Sequence, residues 1–283
     1  MNTVVRATAL LMLASSWMIS GSAQTITIKG SDTLLGLSQK WADAYKVKHP
    51  GVALQVAGGG APAAFAALAD KKLDIALASR SIRYKEAEPF EAAFGQRPAE
   101  CKVAVSGLAV YVNTNNPVKV LTYDELFGIF KGKHRNWKEL GGGELAISVY
   151  AQETNSVHGE LFGEEVLNGK GISAEVHILA GSDILKAIAN DPKGIGYGAF
   201  IKIEGVRPLS IKRAFSSTPV APSEEAIANR IYPISRFVFC YTDPIGNKGE
   251  TKAYLDWVRS DEGQQIARES GYYPLPAKWR RSQ

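Results

Sequence analysis

The sequence predicts an α/β protein of two lobes, each a mostly parallel sheet flanked by helices, with two crossings between them. Three observations predict it. β-Branched runs alternate with helical periodicity along the chain, glycine- and serine-rich turns follow the strands, and two long apolar runs, Val103 to Val112 and Ile231 to Tyr241, are suited to carry the chain out of one lobe and back. A length of 283 residues at 45% hydrophobic composition is enough to bury the core that two such lobes need.

Thr25 to Lys29 alternates in the manner of a strand and stops at Gly30-Ser31-Asp32-Thr33. Leu34, Leu37, Trp41, Ala44 and Tyr45 then recur at helical spacing until His49-Pro50-Gly51 ends the run. Val52 to Val56, the Gly58-Gly59-Gly60 turn and an Ala-rich helix through Asp70 repeat the unit, and Asp74 to Ala78 forms a short strand ending at Ser79-Arg80. Ligands of such sheets lie beyond the carboxyl ends of the strands. Ser31 to Thr33, Gly58 to Ala61 and Ser79-Arg80 therefore share one rim. After the loop Asn113 to Pro117, a second region holds a helix around Tyr123 to Phe130, a strand Ala146 to Tyr150, a helix within Gln152 to Leu167 and the glycine-rich Gly194 to Gly198. A C-terminal helix, Thr251 to Ser270, packs on the first lobe. The lobes accordingly span 24–110 with 234–283, and 111–233.

Residues 1–23 read as a secretory signal: Arg6, an apolar run from Ala7 to Ile19, then Ser20-Gly21-Ser22-Ala23. The run is short of the roughly 20 apolar residues a spanning helix needs, so the expected location is periplasmic. Loss of Arg6 takes Lys and Arg from 33 to 32 against 28 acids, a net charge of +4 instead of +5. These cations are scattered, which gives no support to a nucleic-acid partner. Cys101 and Cys240 lack metal spacing and form either the single possible intrachain bridge or two separate buried thiols. There is no nucleophile elbow, no His-Glu-x-x-His, no phosphate-cradling loop ending in Lys-Ser or Lys-Thr, and no clustered metal ligands among four histidines. An enzyme, for which a phosphate-ester hydrolase is the rival reading, has little support, and no cofactor is expected.

Six segments occur in one order: Gly30-Ser31-Asp32-Thr33; Asp74 to Arg80; Gly107 to Asn113; Ile129-Phe130-Lys131-Gly132 with Asn136-Trp137 and Leu140-Gly141-Gly142; Tyr232 to Arg236; and Glu262-Gly263-Gln264 with Gly271 to Leu275. Together they resemble the periplasmic phosphate-binding proteins of ABC transporters. The resemblance implies the two-lobed periplasmic-binding-protein-like fold, a monomer that closes on a small anion, phosphate or a related oxyanion, and delivery to a membrane permease; a membrane sensor as receptor is the alternative. Its two-crossing layout also implies that the runs pair antiparallel, bringing Cys101 opposite Cys240 for a disulfide.

Residue by residue, Thr33 matches the family's first hydroxyl ligand and also stands where it can cap the following helix. Ser31, Ala61, Ser79 and Arg80 fall on the same rim, Arg80 facing either the anion or a structural ion-pair partner. Where the family has Gly-Ser-Gly, this chain has Gly60-Ala61-Pro62. The family's Arg-Glu-x-Gly-Ser-Gly-Thr becomes Gln152-Glu153-Thr154-Asn155-Ser156-Val157-His158. Gln152, Asn155, Ser156 and His158 are the second-lobe candidates. A neutral glutamine cannot supply the charge of an arginine fork, so weaker phosphate binding is expected. His158 either gains charge at mildly acidic pH or satisfies local backbone.

Overall fold

The computed structural model describes residues 24–244 and 248–280; the signal segment expected at 1–23 lies outside the described residues. Strand β1 (Gln24–Gly30) leads through helix α1 (Leu35–Lys48) to β2 (Val52–Ala57), and helix α2 (Ala61–Ala69) leads to β3 (Ile75–Ala78). Both β2 and β3 lie parallel to β1, and the register sets Lys29 beside Ala57 and Gly30 beside Leu77, so all three strands end at one level. Only glycine fits at position 30, because a Cβ there would stand 1.9 Å from the Leu77 carbonyl oxygen. Helix α3 (Tyr84–Phe94) then leads to β4 (Ala99–Gly107).

The chain changes sheet at Leu108. Strand β5 (Ala109–Asn113) belongs to the second sheet, followed by β6 (Val120–Thr122), α4 (Tyr123–Phe130), β7 (Ser148–Ala151), α5 (Val157–Glu165), β8 (His177–Ile178), α6 (Gly181–Asn190), β9 (Gly194–Gly198), β10 (Val206–Pro208), β11 (Ser210–Lys212) and α7 (Glu224–Ala228). The order is β10-β5-β9-β7-β8, with β6 and β11 paired apart from it. Strand β12 (Ser235–Thr242) then returns to the first sheet, where the order is β2-β1-β3-β12-β4. Parallel pairing holds for β1 to β3 and for β7 to β9. The crossing strands β4, β5 and β12 pair antiparallel, as chains that leave and re-enter a sheet without a crossover helix must.

Side chains of the first sheet alternate between its faces. Ile26, Ile28, Val238 and Cys240 pack beneath Trp41 and Tyr45 of α1, while Ala76, Ala78, Phe237, Phe239 and Tyr241 pack against Phe65 and Phe90 of α2 and α3. The expected C-terminal helix is two, α8 (Gly249–Val258) and α9 (Asp261–Glu269), with a last turn α10 (Ala277–Arg280). Ser260 breaks it: its Oγ accepts from the Gly263 amide and starts a fresh helix. Similarly, the helix expected within Gln152 to Leu167 begins only at Val157, because Ser156 caps it by accepting from the Gly159 amide at 3.0 Å. No helix among the described residues is long and apolar enough to cross a membrane.

The antiparallel pairing of β4 with β12 sets Cys101 directly opposite Cys240, yet both thiols are free. The expected disulfide is therefore corrected. The Cys101 sulfur turns along its own strand, 3.8 Å from the Lys102 carbonyl, and interacts with Arg259, while Cys240 is sealed in the core beneath α8. Burial raises the pKa of both thiols, which keeps them protonated and slow to oxidise. Titration with a disulfide reagent in denaturant, without reductant, is expected to count two thiols per chain, and none of the Cys240 thiol should react before unfolding. A count of zero would restore the bridge.

Candidate functional site

The common end of β1, β2 and β3 carries a ring of hydroxyls. Ser31 and Thr33 sit in a single 3-10 turn after β1, held by bonds from the Ser31 amide to the Leu77 carbonyl and from the Leu34 amide to the Ser31 carbonyl, each 3.0 Å. The neighbouring turn is tied to it, the Gly60 amide donating to the Gly30 carbonyl at 3.0 Å and the Gly59 amide to Asp32 Oδ1 at 2.8 Å. Gly60 adopts φ 82°, a conformation glycine takes without strain. Neither hydroxyl caps α1, which has no side-chain cap. Thr33 Oγ1 instead donates to Glu160 Oε2 at 2.6 Å, and Ser31 Oγ lies 2.9 Å from Thr33 Oγ1 and 3.4 Å from the same carboxylate oxygen. Ser79, just past β3, donates to Glu160 Oε1.

Glu160 belongs to the second lobe. It stands in the first turn of α5, and the buried Leu161 and Phe162, the latter stacked on Tyr197 with ring centroids 4.1 Å apart, pin the helix by its other face. Glu160 and Glu164, spaced four apart, point together toward the first lobe. There they meet Arg236 of β12, which is only 5% exposed. Its Nη2 donates to Glu160 Oε1 at 3.0 Å, its Nη1 pairs with Glu164 Oε2, and its buried Nε–H has no partner. Three hydroxyls and one guanidinium thus converge on a single carboxylate from across the cleft. This is the donor set an oxyanion requires.

The remaining rim candidates are placed otherwise. Arg80 makes a bidentate bond to Glu86, at 2.8 and 2.7 Å, and Glu86 also accepts from the Arg83 amide at the start of α3. Of its two possible roles, the structural ion pair is the one observed. The guanidinium holds the Glu86 carboxyl below the usual carboxylate range. Ala61 is buried in the core at the start of α2 and offers no side-chain donor. Asn155 is exposed.

In the second lobe, Gln152, Ser156 and His158 are joined to one another. Ser156 Oγ has two acceptors for its one proton, the Glu153 carbonyl at 2.8 Å and Gln152 Oε1 at 3.1 Å, and Gln152 Nε2 lies 3.3 Å from His158 Nδ1, which makes Nδ1 the acceptor and leaves the ring proton on Nε2. Gln152, Glu153 and Ser156, with Ile178 to Gly181, line a cavity of about 320 Å³. Burial disfavours the charged imidazole and pushes the His158 pKa down to about 4. Of the two readings of His158, this environment favours the neutral ring. No group of three or more side chains able to hold a metal ion is found among the described residues.

The preference of the half-buried His158 for its neutral form has a consequence for stability. Its folded pKa of about 4 lies below the ordinary 6.5, so the unfolded chain binds the proton more readily. Its contribution is complete above pH 6.5 and is lost as pH falls toward 4, by about 3 kcal/mol at most. Urea unfolding of the wild type should therefore weaken more steeply between pH 7 and 5 than that of His158→Gln. Equal slopes would show that the folded ring takes up its proton as readily as the unfolded one.

Arg236, Glu160 and Glu164 were not among the sequence-derived site residues. A signal for the first was present: an arginine inside the apolar run Ile231 to Tyr241 demands a buried partner. Comparison with known proteins completes the description. A PBP superfamily domain matches residues 19–262. The phosphate-binding protein PstS of Pseudomonas aeruginosa is 31% identical over 276 residues, covering 92% of this chain and 85% of its own, and PstS of Bacillus subtilis is 29% identical, covering 89% and 81%. Among solved structures, a possible phosphate binding protein from Planctomyces limnophilus superposes with a TM-score of 0.78 at 26% identity, covering 91% of this chain and 95% of its own. An ABC-type phosphate transport receptor from Vibrio cholerae gives 0.71 at 25% identity, with 89% and 100% covered. Profile, sequence and architecture agree over nearly all the described chain, and the chain belongs to the PBP superfamily, in the family of the phosphate-binding proteins PstS.

Proposed function

We propose that the protein is an exported solute-binding protein that captures inorganic phosphate between its lobes and delivers it to the membrane permease of an ABC transporter. The observation that carries this reading is the set of donors gathered on one carboxylate: Ser31, Thr33, Ser79 and Arg236. A group of three hydroxyls and a guanidinium fork at aligned strand ends suits a tetrahedral oxyanion, whose four oxygens accept what a carboxylate accepts with two. The family and its named relatives favour phosphate within that class, and they favour carriage over catalysis. In this reading Gln152, Ser156 and His158 of the second lobe offer neutral polar atoms to the anion, and no cation. The signal segment at 1–23, with a net charge mildly in favour of anions, supports capture outside the cytoplasm.

The reading is tested by calorimetry with inorganic phosphate. The wild type is expected to bind, and Ser79→Asp, which sets a fixed negative charge among the donors, should weaken binding by about a hundredfold or more, since like charges at contact distance cost several kcal/mol. The melting temperature of the variant guards against misfolding. Absence of phosphate binding by the folded wild type, or undiminished binding by folded Ser79→Asp, would overturn the assignment.

A further inference from the structure

The carboxylate at the centre of the site is part of the protein. We infer that Glu160 is an internal anion that holds the cleft shut without ligand, and that an oxyanion enters the first-lobe site only by displacing it; the proposal rests on the reading of that site as the phosphate site. The geometry leaves few alternatives. Both Glu160 oxygens are engaged, one by Thr33 and Ser31, the other by Ser79 and Arg236. These four residues all belong to the first lobe, and Glu160 is on the second. The contact is therefore at once a ligand-like occupation of the donors and a bridge between the lobes.

Charge decides between displacement and joint occupancy. The ion-pair network around Arg236 joins three arginines, Arg80, Arg83 and Arg236, to three carboxylates, Glu86, Glu160 and Glu164, and the adjoining turns add one charge of each sign, Lys29 and Asp32. The cluster is neutral as it stands. A phosphate added beside Glu160 would bring one or two further negative charges against a carboxylate at contact distance, with no cation in excess. Release of Glu160 into solvent instead leaves the cluster one positive charge over and returns all four donors to the ligand. Arg236, whose Nε–H is unspent, keeps Glu164 as its fixed partner throughout.

Two consequences follow for what the site accepts. An intramolecular carboxylate competes at an effective concentration of about millimolar or above, so external carboxylate monoanions, which offer the same two oxygens, gain nothing by exchange. A tetrahedral anion with more acceptor oxygens does. The apparent affinity for that anion is the intrinsic affinity multiplied by the fraction of molecules with Glu160 released. Glu160 therefore sets both the affinity and the preference of the site, and it compensates in the unliganded protein for the desolvation of Arg236.

The test compares the wild type with Glu160→Gln, which removes the charge, and Glu160→Asp, which keeps the charge but shortens the reach to the hydroxyls. Phosphate binding is read by calorimetry and the unliganded shape by small-angle scattering. Both variants should bind phosphate at least about tenfold more tightly, as expected if no more than about a tenth of wild-type molecules are released at rest, and both should show a larger radius of gyration than the wild type before ligand is added. If phosphate binds all three proteins equally, Glu160 is no competitor and the inference fails while the phosphate reading stands. If phosphate binds none of them, the phosphate reading fails, and scattering alone decides the latch: unchanged dimensions overturn it, and expansion in both variants upholds it.

Discussion

Arg236 is a cation inside a sheet. Strand β12 is buried along its whole length, and a guanidinium there is tolerable only if carboxylates reach it. Neither neighbouring strand supplies one: β3 is Ile75-Ala76-Leu77-Ala78, and Arg236 lies opposite Ser106 of β4. Both carboxylates come from α5 in the other lobe. Much of the relation between the lobes follows from this. To bring Glu160 and Glu164 to β12, the helix must present its start to the rim where β1, β2 and β3 end, and the hydroxyls of that rim fall on the same carboxylate.

The two walls of the cleft are built by different means. On the first, the donors stand on short turns fixed by backbone bonds and by a glycine that lets β1 approach β3 closely. Their positions are set before any ligand arrives, which limits the ordering cost of binding. On the second, Gln152, Ser156 and His158 satisfy one another, and Gly181, at the start of α6, lies so close that a Cβ there would stand 3.0 Å from Gln152 Nε2. These three side chains bring no cation to the second lobe, whose charged groups nearby, Glu153, Glu160 and Glu164, are carboxylates.

What the sequence made legible was the part governed by local rules. Alternation in Thr25 to Lys29, the glycine turns and the apolar runs located the strands, and the strand ends located Ser31, Thr33 and Ser79 on one rim. The rule that antiparallel strands face each other placed Cys101 opposite Cys240, but strand register does not say where a sulfur points, and the bridge is not made. Arg236 stood out as a cation inside an apolar run, whereas the role of Arg80 was open. Only the three-dimensional position of Glu86, six residues from Arg80, assigns it to structure. Glu160 was illegible for a further reason: a glutamate in the first turn of a helix is already accounted for by the helix dipole, and nothing local signals that it spans a cleft.

The exchange of arginine for Gln152 invites the conclusion that the site has lost the charge an oxyanion needs. That conclusion assumes the charge must come from the helix-start motif of the second lobe. Here a guanidinium reaches the site from β12, two of its three nitrogens are on carboxylates, and the second lobe's contribution at the same place is negative. The strength of binding is then governed less by which arginine is missing than by the free energy of parting Arg236, Ser79 and Thr33 from Glu160. A site with its own counter-ion needs no external anion to fold or to close. It can admit one only to the extent that the newcomer makes more bonds to the same donors than the glutamate it replaces.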